Sequence, residues 1–430
     1  MMENFIEYLY SKFLQSDGVS IDTRTISNGN LFFAIQGPNF NANKFASKAL
    51  ELGANFAVVD DPEYVLDDRY ILAENGMKAL QQLAIFHRSR FKRTVLGLTG
   101  SNGKTTTKEI INLVLQKKYI THATKGNYNN HLGVPLTLLH IHPQVEIAII
   151  EMGANHVGDI AELCSYANPN YGLITNIGEA HTETFGGIEG VLRGKSELFD
   201  HLRKTNGTPL INTSDPRLMN MTKRFEDPIT YPNCDLKLVS ADPYLTISIG
   251  DRQVKTSLIG AYNFPNIAAA VAVGRTFGVE DTDILDAIAS YVPSNQRSQV
   301  LDCGEVQVIL DCYNANPTSM RAALENLGDM HGKKHVVLGD MKEVEDSLNK
   351  HKEVGELVKS IGVESAIFIG DNMSLAAQEV PGSYWYENVD QAIEALKSQP
   401  IQKGNVLVKG SRSMRLEQLS EQIFEQNESK

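Results

Sequence analysis

The chain of 430 residues contains only four cysteines, and none of them shows the C-x-x-C spacing of a metal or redox motif. We therefore expect reduced thiols rather than a disulfide framework. No apolar run approaches the roughly 20 residues needed to cross a bilayer. The first residues lack a basic segment followed by an apolar core, so no signal peptide is expected. These absences predict a cytoplasmic protein without a membrane span.

The chain also lacks an excess of basic residues. It has 40 Lys and Arg against 52 Asp and Glu, which gives a formal net charge of -12 at pH 7. This balance argues against a nucleic-acid partner held through its phosphates, so any bound phosphate must be held by local positive groups. A hydrophobic content of 42% is typical of a globular protein, and the length indicates two or three domains.

The most informative segment spans residues 95–107. A short apolar run, typical of a buried strand, leads into Gly100-Ser101-Asn102-Gly103-Lys104-Thr105-Thr106 and then into a helical pattern. This layout is that of a phosphate-binding loop, although Leu98 replaces the first glycine of the longer pattern. We expect the loop and the helix N-terminus to bind an anion, Lys104 to reach the outer phosphates and Thr105 to bind Mg²⁺. An ordinary glycine-rich turn is the alternative.

Alternating strand and helix patterns predict an α/β protein of three domains, with boundaries at 1–91, 92–295 and 296–430. In the middle domain, apolar runs end in polar residues, as in strands of a parallel sheet that are buried on both faces. The predicted strands are 31–35, 56–60, 95–99, 147–150, 173–175, 306–311, 335–340, 366–371 and 405–410, and the clearest predicted helices are 43–52, 77–90 and 266–277.

Three residues of the middle domain are candidates for chemistry beside the phosphate loop. Glu151 ends an apolar strand and is placed to hold Mg²⁺, with a capping or salt-bridged carboxylate as the alternative. His181 follows the next strand, although a lone histidine is more often structural. Lys195 lies at a predicted helix start, where a solvated lysine is the ordinary interpretation.

Three further segments carry polar groups near predicted strand ends. The loop 124–130 contains three asparagines and a glycine, which suit either tight turns or a phosphate or sugar ligand. Asp311 could bind a ribose hydroxyl or form a turn before a helix. The segment 409–412 could hold a carboxylate or phosphate through Lys409 and Arg412, or be a solvated basic turn.

The order of these segments resembles the Mur ligase family across essentially the whole chain. The segments that carry the resemblance are Asp22-Thr23-Arg24, 99–106, 124–135, 151–156, 175–181, 194–197, 260–263, Arg297, 311–317, 338–341 and 409–412. The resemblance implies a central P-loop ATPase-like, mostly parallel sheet and a C-terminal Rossmann-like domain that completes the ATP site. Tyr313-Asn314-Ala315-Asn316-Pro317 and Leu338-Gly339-Asp340-Met341 favour the member that adds a D-alanyl-D-alanine dipeptide.

The implied reaction is ATP-dependent amide-bond formation between D-alanyl-D-alanine and UDP-N-acetylmuramoyl-tripeptide, through an acyl phosphate, in bacterial peptidoglycan precursor synthesis. The implied cofactors are ATP, two Mg²⁺ ions and CO₂ as a lysine carbamate, and we expect a monomer. Another Mur-type ligase, a folylpolyglutamate synthase, a nucleotide-switched binding protein and a non-catalytic relative are the alternatives. Intact Lys104, Glu151, His181 and Lys195 argue against the last.

The resemblance also implies a role for each matching residue. The expected ATP contacts are Gly100, Ser101, Asn102, Gly103, Lys104, Thr105 and Thr106 in the loop, Asn263 for adenine, Arg297 for phosphates and Asp311 for ribose. The expected metal ligands are Thr105, Glu151, His181 and carbamylated Lys195, and the expected catalytic residues are Lys104, Lys195, His181 and Arg297. The expected substrate contacts are Asp22, Thr23, Arg24, Asn129 and Asn130 for the UDP-substrate and Asn314, Lys409 and Arg412 for the dipeptide.

The chain departs from the family pattern at three places. Asn41-Ala42-Asn43 stands where Asp-Gly-His is expected, Tyr262 replaces a histidine, and Gln296 replaces a glycine. These departures concern the nucleotide contacts and leave the expected reaction class unchanged.

Overall fold

The computed structural model describes residues 2–420, which form three α/β modules in chain order, each around a sheet of its own. The amino-terminal module has a four-stranded parallel sheet in the order β1-β2-β5-β6 and a short hairpin of β3 and β4. Its elements are α1 (Met2–Phe13), β1 (Val19–Ser20), β2 (Leu31–Phe33), β3 (Gln36–Gly37), β4 (Phe40–Asn41), α2 (Ala46–Glu51), β5 (Phe56–Val59), β6 (Tyr70–Leu72) and α3 (Gly76–Arg90).

The middle module contains a six-stranded, wholly parallel sheet in the order β12-β11-β10-β7-β9-β8, followed by the antiparallel meander β13-β14-β15. Its strands are β7 (Thr94–Thr99), β8 (Thr121–Ala123), β9 (Ile147–Glu151), β10 (Tyr171–Ile174), β11 (Thr208–Asn212), β12 (Ile229–Tyr231), β13 (Leu236–Ala241), β14 (Tyr244–Ile249) and β15 (Arg252–Ile259). Its helices are α4 (Lys104–Gln116), α5 (Gly133–Leu139), α6 (Asp159–Ala167), α7 (Thr182–Phe185), α8 (Ile188–Thr205), α9 (Pro216–Met219), α10 (Phe264–Thr276) and α11 (Asp281–Ser290).

The carboxyl-terminal module has a six-stranded sheet in the order β16-β17-β21-β18-β19-β20, in which only β16 is antiparallel. Its strands are β16 (Gln299–Cys303), β17 (Val306–Asp311), β18 (Lys334–Gly339), β19 (Ser365–Ile369), β20 (Tyr384–Tyr386) and β21 (Gly404–Lys409). Its helices are α12 (Pro317–Asp329), α13 (Ser347–Ile361), α14 (Met373–Glu379), α15 (Val389–Ser398) and α16 (Glu417–Leu419).

The central position of β7 determines where a ligand can bind. β7 lies between β9 and β10, and the chain leaves its carboxyl end through the phosphate loop. Because parallel strands end at the same edge, the loops after β7, β9 and β10 meet above this edge. Apolar β7 residues such as Val95, Leu96 and Leu98 are fully buried, as the near-continuous apolar run predicts.

The amino-terminal and middle modules share one hydrophobic core, which includes Leu83 of α3 and Ile150 of β9. Arg88 crosses this contact and donates to the carbonyl oxygens of Ala167 at 2.6 Å and Asn168 at 2.7 Å. Its remaining nitrogen donates to Phe91 O at 2.6 Å. The guanidinium therefore satisfies three backbone acceptors in a place that water does not reach.

The α/β fold with a mostly parallel central sheet is confirmed, and the predicted strands agree with the observed ones to within two residues. One local prediction is wrong, because Lys195 lies in the middle of α8 and not at a helix start. The helix begins after Gly187, whose φ of 89° ends the preceding turn, so the apolar face of α8 extends on both sides of the lysine. Within residues 2–420, no helix combines the length and the apolar character needed to span a membrane.

His122 on the edge strand β8 makes the stability of the middle module dependent on pH. Its Nε2 donates to Thr137 O at 3.0 Å, and burial lowers the pKa of the imidazole to about 4. In the unfolded state the His122 imidazole takes up a proton when the pH falls below its ordinary pKa of about 6.5. In the folded state the imidazole stays neutral at the same pH. The free energy of unfolding is therefore not reduced by His122 above pH 6.5, and it decreases as the pH falls from 6.5 towards 4.

We predict that the free energy of unfolding of the native chain decreases by about 2 kcal/mol more than that of His122→Gln when the pH falls from 7 to 5. Glutamine can keep a donor towards Thr137. Urea titrations at both pH values measure the difference. His331→Gln is the matched control, because the His331 ring is 90% exposed. Equal pH dependence in the native chain and His122→Gln would contradict the assignment.

Candidate active site

The phosphate loop depends on two glycines whose backbone conformations exclude other residues. Gly100 has a φ of 146°, and a Cβ there would lie 2.0 Å from Thr175 Oγ1. Gly103 has a φ of 78° and forms the amino-terminal cap of α4, where a Cβ would lie 2.4 Å from Asn266 Oδ1. A side chain at either position would be strained and would also clash, so the loop can approach an anion only through glycine.

Lys104 begins α4 and folds back over the loop. Its Nζ donates to the carbonyl oxygens of Gly100 at 2.7 Å and Ser101 at 3.1 Å. Desolvation, opposed by Glu151 and reinforced by the charge of Arg297, lowers the pKa of the ammonium to about 8. A negatively charged ligand over the loop would favour the charged form of Lys104.

Glu151 is a buried carboxylate at the carboxyl end of β9. Its Oε1 accepts hydrogen bonds from Thr105 Oγ1 at 3.2 Å and from Asn129 Nδ2 at 2.9 Å. Its buried Oε2 has no hydrogen-bond partner within residues 2–420 and lies 3.5 Å from Lys108 Nζ. An oxygen in this state retains lone pairs for a cation, so Thr105 and Glu151 fit the pair of ligands expected for Mg²⁺.

Lys195 is almost fully buried in α8. Its Nζ donates to Ala154 O at 3.0 Å and lies 5.1 Å from the centre of the Phe185 ring. Burial lowers the pKa of this lysine well below its ordinary value, and the charge of Lys104 adds to the effect. A neutral amine is nucleophilic, which carbamate formation with CO₂ requires.

His181 follows β10 and connects the middle module to the carboxyl-terminal one. It has a φ of 56° and its Nδ1 contacts the carboxylate of Glu343 from the other module. Burial lowers the pKa of the imidazole, Glu343 raises it, and the charges of Lys104 and Lys195 lower it. His181 is therefore within electrostatic range of both lysines.

The carboxyl-terminal module adds cationic and aromatic groups to the site. The Arg297 guanidinium lies 3.6 Å from the centre of the Tyr313 ring, and its buried Nε has no hydrogen-bond partner in the described part of the chain. Asp311 ends β17 and accepts from Lys409 Nζ at 2.5 Å and from Ser298 N at 3.0 Å. Lys409 is thus held by a neighbouring strand, whereas Arg297 retains a free donor for an anion.

One cavity of about 680 Å³ brings most of the predicted residues together between the two modules. The predicted site residues that line it are Ser101, Asn102, Gly103, Lys104, Thr105, Thr106, Asn129, Asn130, Glu151, His181, Asn263, Arg297, Asp311, Asn314 and Lys409. Gly100 and Lys195 do not line the cavity. The Gly100 carbonyl oxygen accepts from Lys104 Nζ, and Lys195 Nζ donates to the carbonyl oxygen of Ala154, which does line it. No cluster of three His, Cys, Asp or Glu side chains suited to a metal ion occurs within residues 2–420.

Four predicted substrate residues lie outside the cavity lining. Asp22, Thr23 and Arg24 form a turn in the amino-terminal module, where Arg24 pairs with Asp22 at 2.6 Å. This hydrogen-bonded pairing lowers the pKa of the Asp22 carboxyl to about 2. Arg412 donates to Gln296 Oε1 at 2.5 Å, pairs with Glu417 at 3.1 Å and lies 6.0 Å from the centre of the Tyr313 ring, all within the carboxyl-terminal module.

Comparison with known proteins assigns the family. Models of the Mur ligase family, catalytic domain, of the Mur ligase middle domain and of the Mur ligase glutamate ligase domain match residues 15–88, 98–274 and 296–412. UDP-N-acetylmuramoyl-tripeptide–D-alanyl-D-alanine ligase of Bacillus subtilis (strain 168) is 33% identical over 429 residues, which cover 95% of this chain and 93% of that protein. The chain belongs to the Mur ligase family.

Two further Mur ligase relatives agree with this assignment. The enzyme of the same name from Escherichia coli (strain K12) is 32% identical, over 94% of this chain and 92% of that protein. The crystal structure of MurF ligase from Thermotoga maritima in complex with ADP superposes with a TM-score of 0.84 at 29% identity. The superposition covers 97% of this chain and 99% of that one.

Several residues of the site were missed by the sequence analysis. They are Lys108, Asn266 and Glu343, which contact Glu151, Asn263 and His181. Lys108 could have been found, because it lies one helical turn after Lys104 on the same face of a predicted helix. Glu343, in contrast, is 162 positions away from His181, so no local pattern connects the two.

We predict that Lys108→Met lowers the free energy of unfolding at pH 7 by about 3–5 kcal/mol, because it leaves the Glu151 carboxylate buried without a counter-charge. Chemical denaturation measures the loss. Lys117→Met is the matched control, since this lysine is exposed just beyond α4, and a change within about 0.5 kcal/mol is expected. Similar losses in both variants would show that the Lys108–Glu151 pair is not stabilising.

Proposed function

We propose that the chain catalyses ATP-dependent ligation of D-alanyl-D-alanine to UDP-N-acetylmuramoyl-tripeptide in bacterial peptidoglycan precursor synthesis, as a cytoplasmic, ADP-forming enzyme. The names of the Bacillus subtilis and Escherichia coli relatives, which match nearly the whole chain, support the reaction. The Thermotoga maritima ligase was crystallised with ADP, which supports the nucleotide. We propose in addition that the enzyme acts as a monomer.

The observation that carries this proposal is the single cavity in which Lys104, Glu151 and Arg297 meet. It is lined from the middle module by the phosphate loop and from the carboxyl-terminal module by the ends of β17 and β21. A nucleotide-switched binding protein needs only the phosphate loop of the middle module. A ligase needs both, because an activated acid and an incoming amine must meet beside the nucleotide.

The chemistry requires two steps. A carboxylate oxygen of the tripeptide attacks the γ-phosphorus of ATP, ADP leaves, and an acyl phosphate forms. The dipeptide amine then attacks the acyl carbon, the C–O bond to phosphate breaks, and the amine proton is released. Two anions approach each other in the first step, so Lys104 and Arg297 act chiefly by neutralising charge at the transferring phosphoryl group.

We propose that Thr105 and Glu151 hold one Mg²⁺ ion, and that His181 and a carbamylated Lys195 support a second. Glu151 Oε2, buried and without a hydrogen-bond partner in the described chain, supports the first site. The burial of Lys195 supports the carbamate, because it favours the neutral amine. When bound, Mg²⁺ neutralises phosphate charge. Addition of CO₂ to the neutral amine, with loss of a proton, would give an anionic carbamate whose oxygens could act with His181 as metal ligands.

We propose the remaining roles on the same basis. Asn263 faces the adenine and Asp311 the ribose, while Asn129 and Asn130 contact the UDP-substrate with Asp22, Thr23 and Arg24 of the amino-terminal module. Asn314, Lys409 and Arg412 serve the dipeptide. We propose the domain limits 1–91, 92–295 and 296–430; the matched family segments 15–88, 98–274 and 296–412 support them, because each falls within one of the three domains.

We predict that phosphate release from ATP requires UDP-N-acetylmuramoyl-tripeptide and increases at least tenfold when D-alanyl-D-alanine is added, because each step needs its own acceptor. Coupled phosphate detection measures both rates. L-glutamate and L-lysine, tested in place of the dipeptide, are the controls. Phosphate release that depends on an L-amino acid instead of the dipeptide would identify a different ligase of the family.

We predict that Lys195→Ala lowers kcat by at least 100-fold and that added bicarbonate does not restore it, because alanine cannot carry a carbamate. ADP affinity, measured by calorimetry, should change much less, since Lys195 lies outside the lining of the nucleotide cavity. Lys204→Ala, an exposed substitution near the end of the same helix, is the control. Near-normal turnover by Lys195→Ala would exclude this lysine from the mechanism.

A further inference from the structure

We propose that Asn316, at the start of α12 in the carboxyl-terminal module, is a positioning residue for the phosphate loop of the middle module. Its side-chain amide donates from Nδ2 to Asn102 Oδ1 at 2.7 Å. This bond spans 214 positions of sequence and joins the two modules at the wall of the cavity. The inference rests on the proposed function, since it assigns the amide pair to the step in which the nucleotide is used.

The orientation of the Asn316 side chain is fixed by its own helix. Asn316 Oδ1 accepts a hydrogen bond from Ser319 N at 2.9 Å, and Asn316 N donates to Ser319 Oγ at 3.1 Å. This capping box assigns the side-chain oxygen to the helix terminus and leaves the NH₂ group for another partner. Asn316 is also buried, with 5% of its surface exposed, so an unpaired NH₂ would be costly.

Asn102 is fixed from the opposite side. Its backbone N–H donates to Asn176 Oδ1 at 3.0 Å, and its carbonyl accepts from Thr175 Oγ1 at 2.6 Å and from Asn176 Nδ2 at 2.9 Å. The residue lies between Gly100 and Gly103, where the backbone must stay in its strained conformation to receive phosphate. Its side chain is the part of the loop that reaches across to the carboxyl-terminal module.

The neighbouring contacts show that the two modules approach closely here. A Cβ at Gly178 would lie 3.0 Å from Thr318 Oγ1 and 3.1 Å from Asn102 Nδ2. Glu179 N donates to Thr318 Oγ1 at 3.0 Å. Hydrogen bonds of this kind lose little free energy when water replaces them, so such a contact can form and break during a catalytic cycle. The hydrogen bond from Asn316 to Asn102 therefore restrains the phosphate loop only when the two modules are in contact.

A purely structural role predicts something different, namely that Asn316 only caps α12. Three substitutions distinguish the two roles. Asn316→Ser keeps a good capping residue but removes the NH₂ donor, whereas Asn316→Ala removes both. Asn102→Ala removes the partner and leaves the cap intact. Asn388→Ser is the matched control, because Asn388 caps α15 by accepting from Gln391 N at 3.1 Å, outside the cavity lining.

The test uses the full chain and measures the thermal midpoint, the ADP affinity with Mg²⁺, and kcat and KM for each substrate. For Asn316→Ser we expect an unchanged midpoint, a KM for D-alanyl-D-alanine within twofold of the native value, a five- to twentyfold loss of kcat and a three- to tenfold weaker ADP affinity. Asn102→Ala should match these losses. The double variant should lose little more than either single variant, because one interaction is removed in all three.

Native-like kcat and ADP affinity in Asn316→Ser would overturn the proposal and leave only the capping role, as would fully additive losses in the double variant. Equal losses in Asn316→Ser and Asn388→Ser would overturn it too. If Asn102→Ala does not fold, the comparison of Asn316→Ser with Asn388→Ser still decides. If no ligation of the dipeptide occurs in the native chain, the proposed function fails, while the ADP affinities still test the amide pair.

Discussion

The burial of the Glu151 carboxylate is the constraint on which the rest of the site depends. A charge with 1% of its surface exposed is tolerated only when its surroundings supply compensating groups. Here α4 supplies Thr105 and Lys108, and the loop before α5 supplies Asn129. Lys108 Nζ also lies 3.3 Å from Gly126 O, so the same ammonium contacts the loop that carries Asn129. One carboxylate thus joins the nucleotide side of the cavity to the side proposed for the UDP-substrate.

Cations and carboxylates meet in the cavity, whose lining includes Lys104, Arg297 and Lys409 as well as Glu151 and Asp311. The buried Lys195 lies outside this lining. Desolvation lowers the pKa of both lysines, and a neighbouring cation adds to the effect, Arg297 for Lys104 and Lys104 for Lys195. An anion over the phosphate loop would favour the charged form of Lys104, whereas the proposed carbamate requires the neutral amine of Lys195.

How much of the site could be predicted from sequence depends on how far apart the partners lie in the chain. The turn from β7 to α4 is continuous, so its glycines, Lys104 and Thr105 could be identified directly. Glu151 could be placed beside them because parallel strands end at one edge, and the register pairs it with Leu98. Asn316 contacts Asn102 across 214 positions, and no periodicity encodes that contact. The role expected for Arg412 at the dipeptide stays a prediction, because Arg412 itself does not line the cavity although its guanidinium lies 6.0 Å from the centre of the Tyr313 ring, which does.

The contact between the middle and carboxyl-terminal modules is made in large part by hydrogen bonds and ion pairs. Besides the Asn102–Asn316 pair, Glu345 N donates to Thr182 Oγ1 at 3.1 Å and Lys350 pairs with Glu179 at 3.4 Å. Each such bond contributes only about 0.5–1.5 kcal/mol net, because water competes for the same groups. Ligands that bridge the cavity can therefore decide whether the modules stay together. An apolar interface would hold them closed regardless of ligand, and products could not leave; a polar one lets release follow from the loss of the bridging charge.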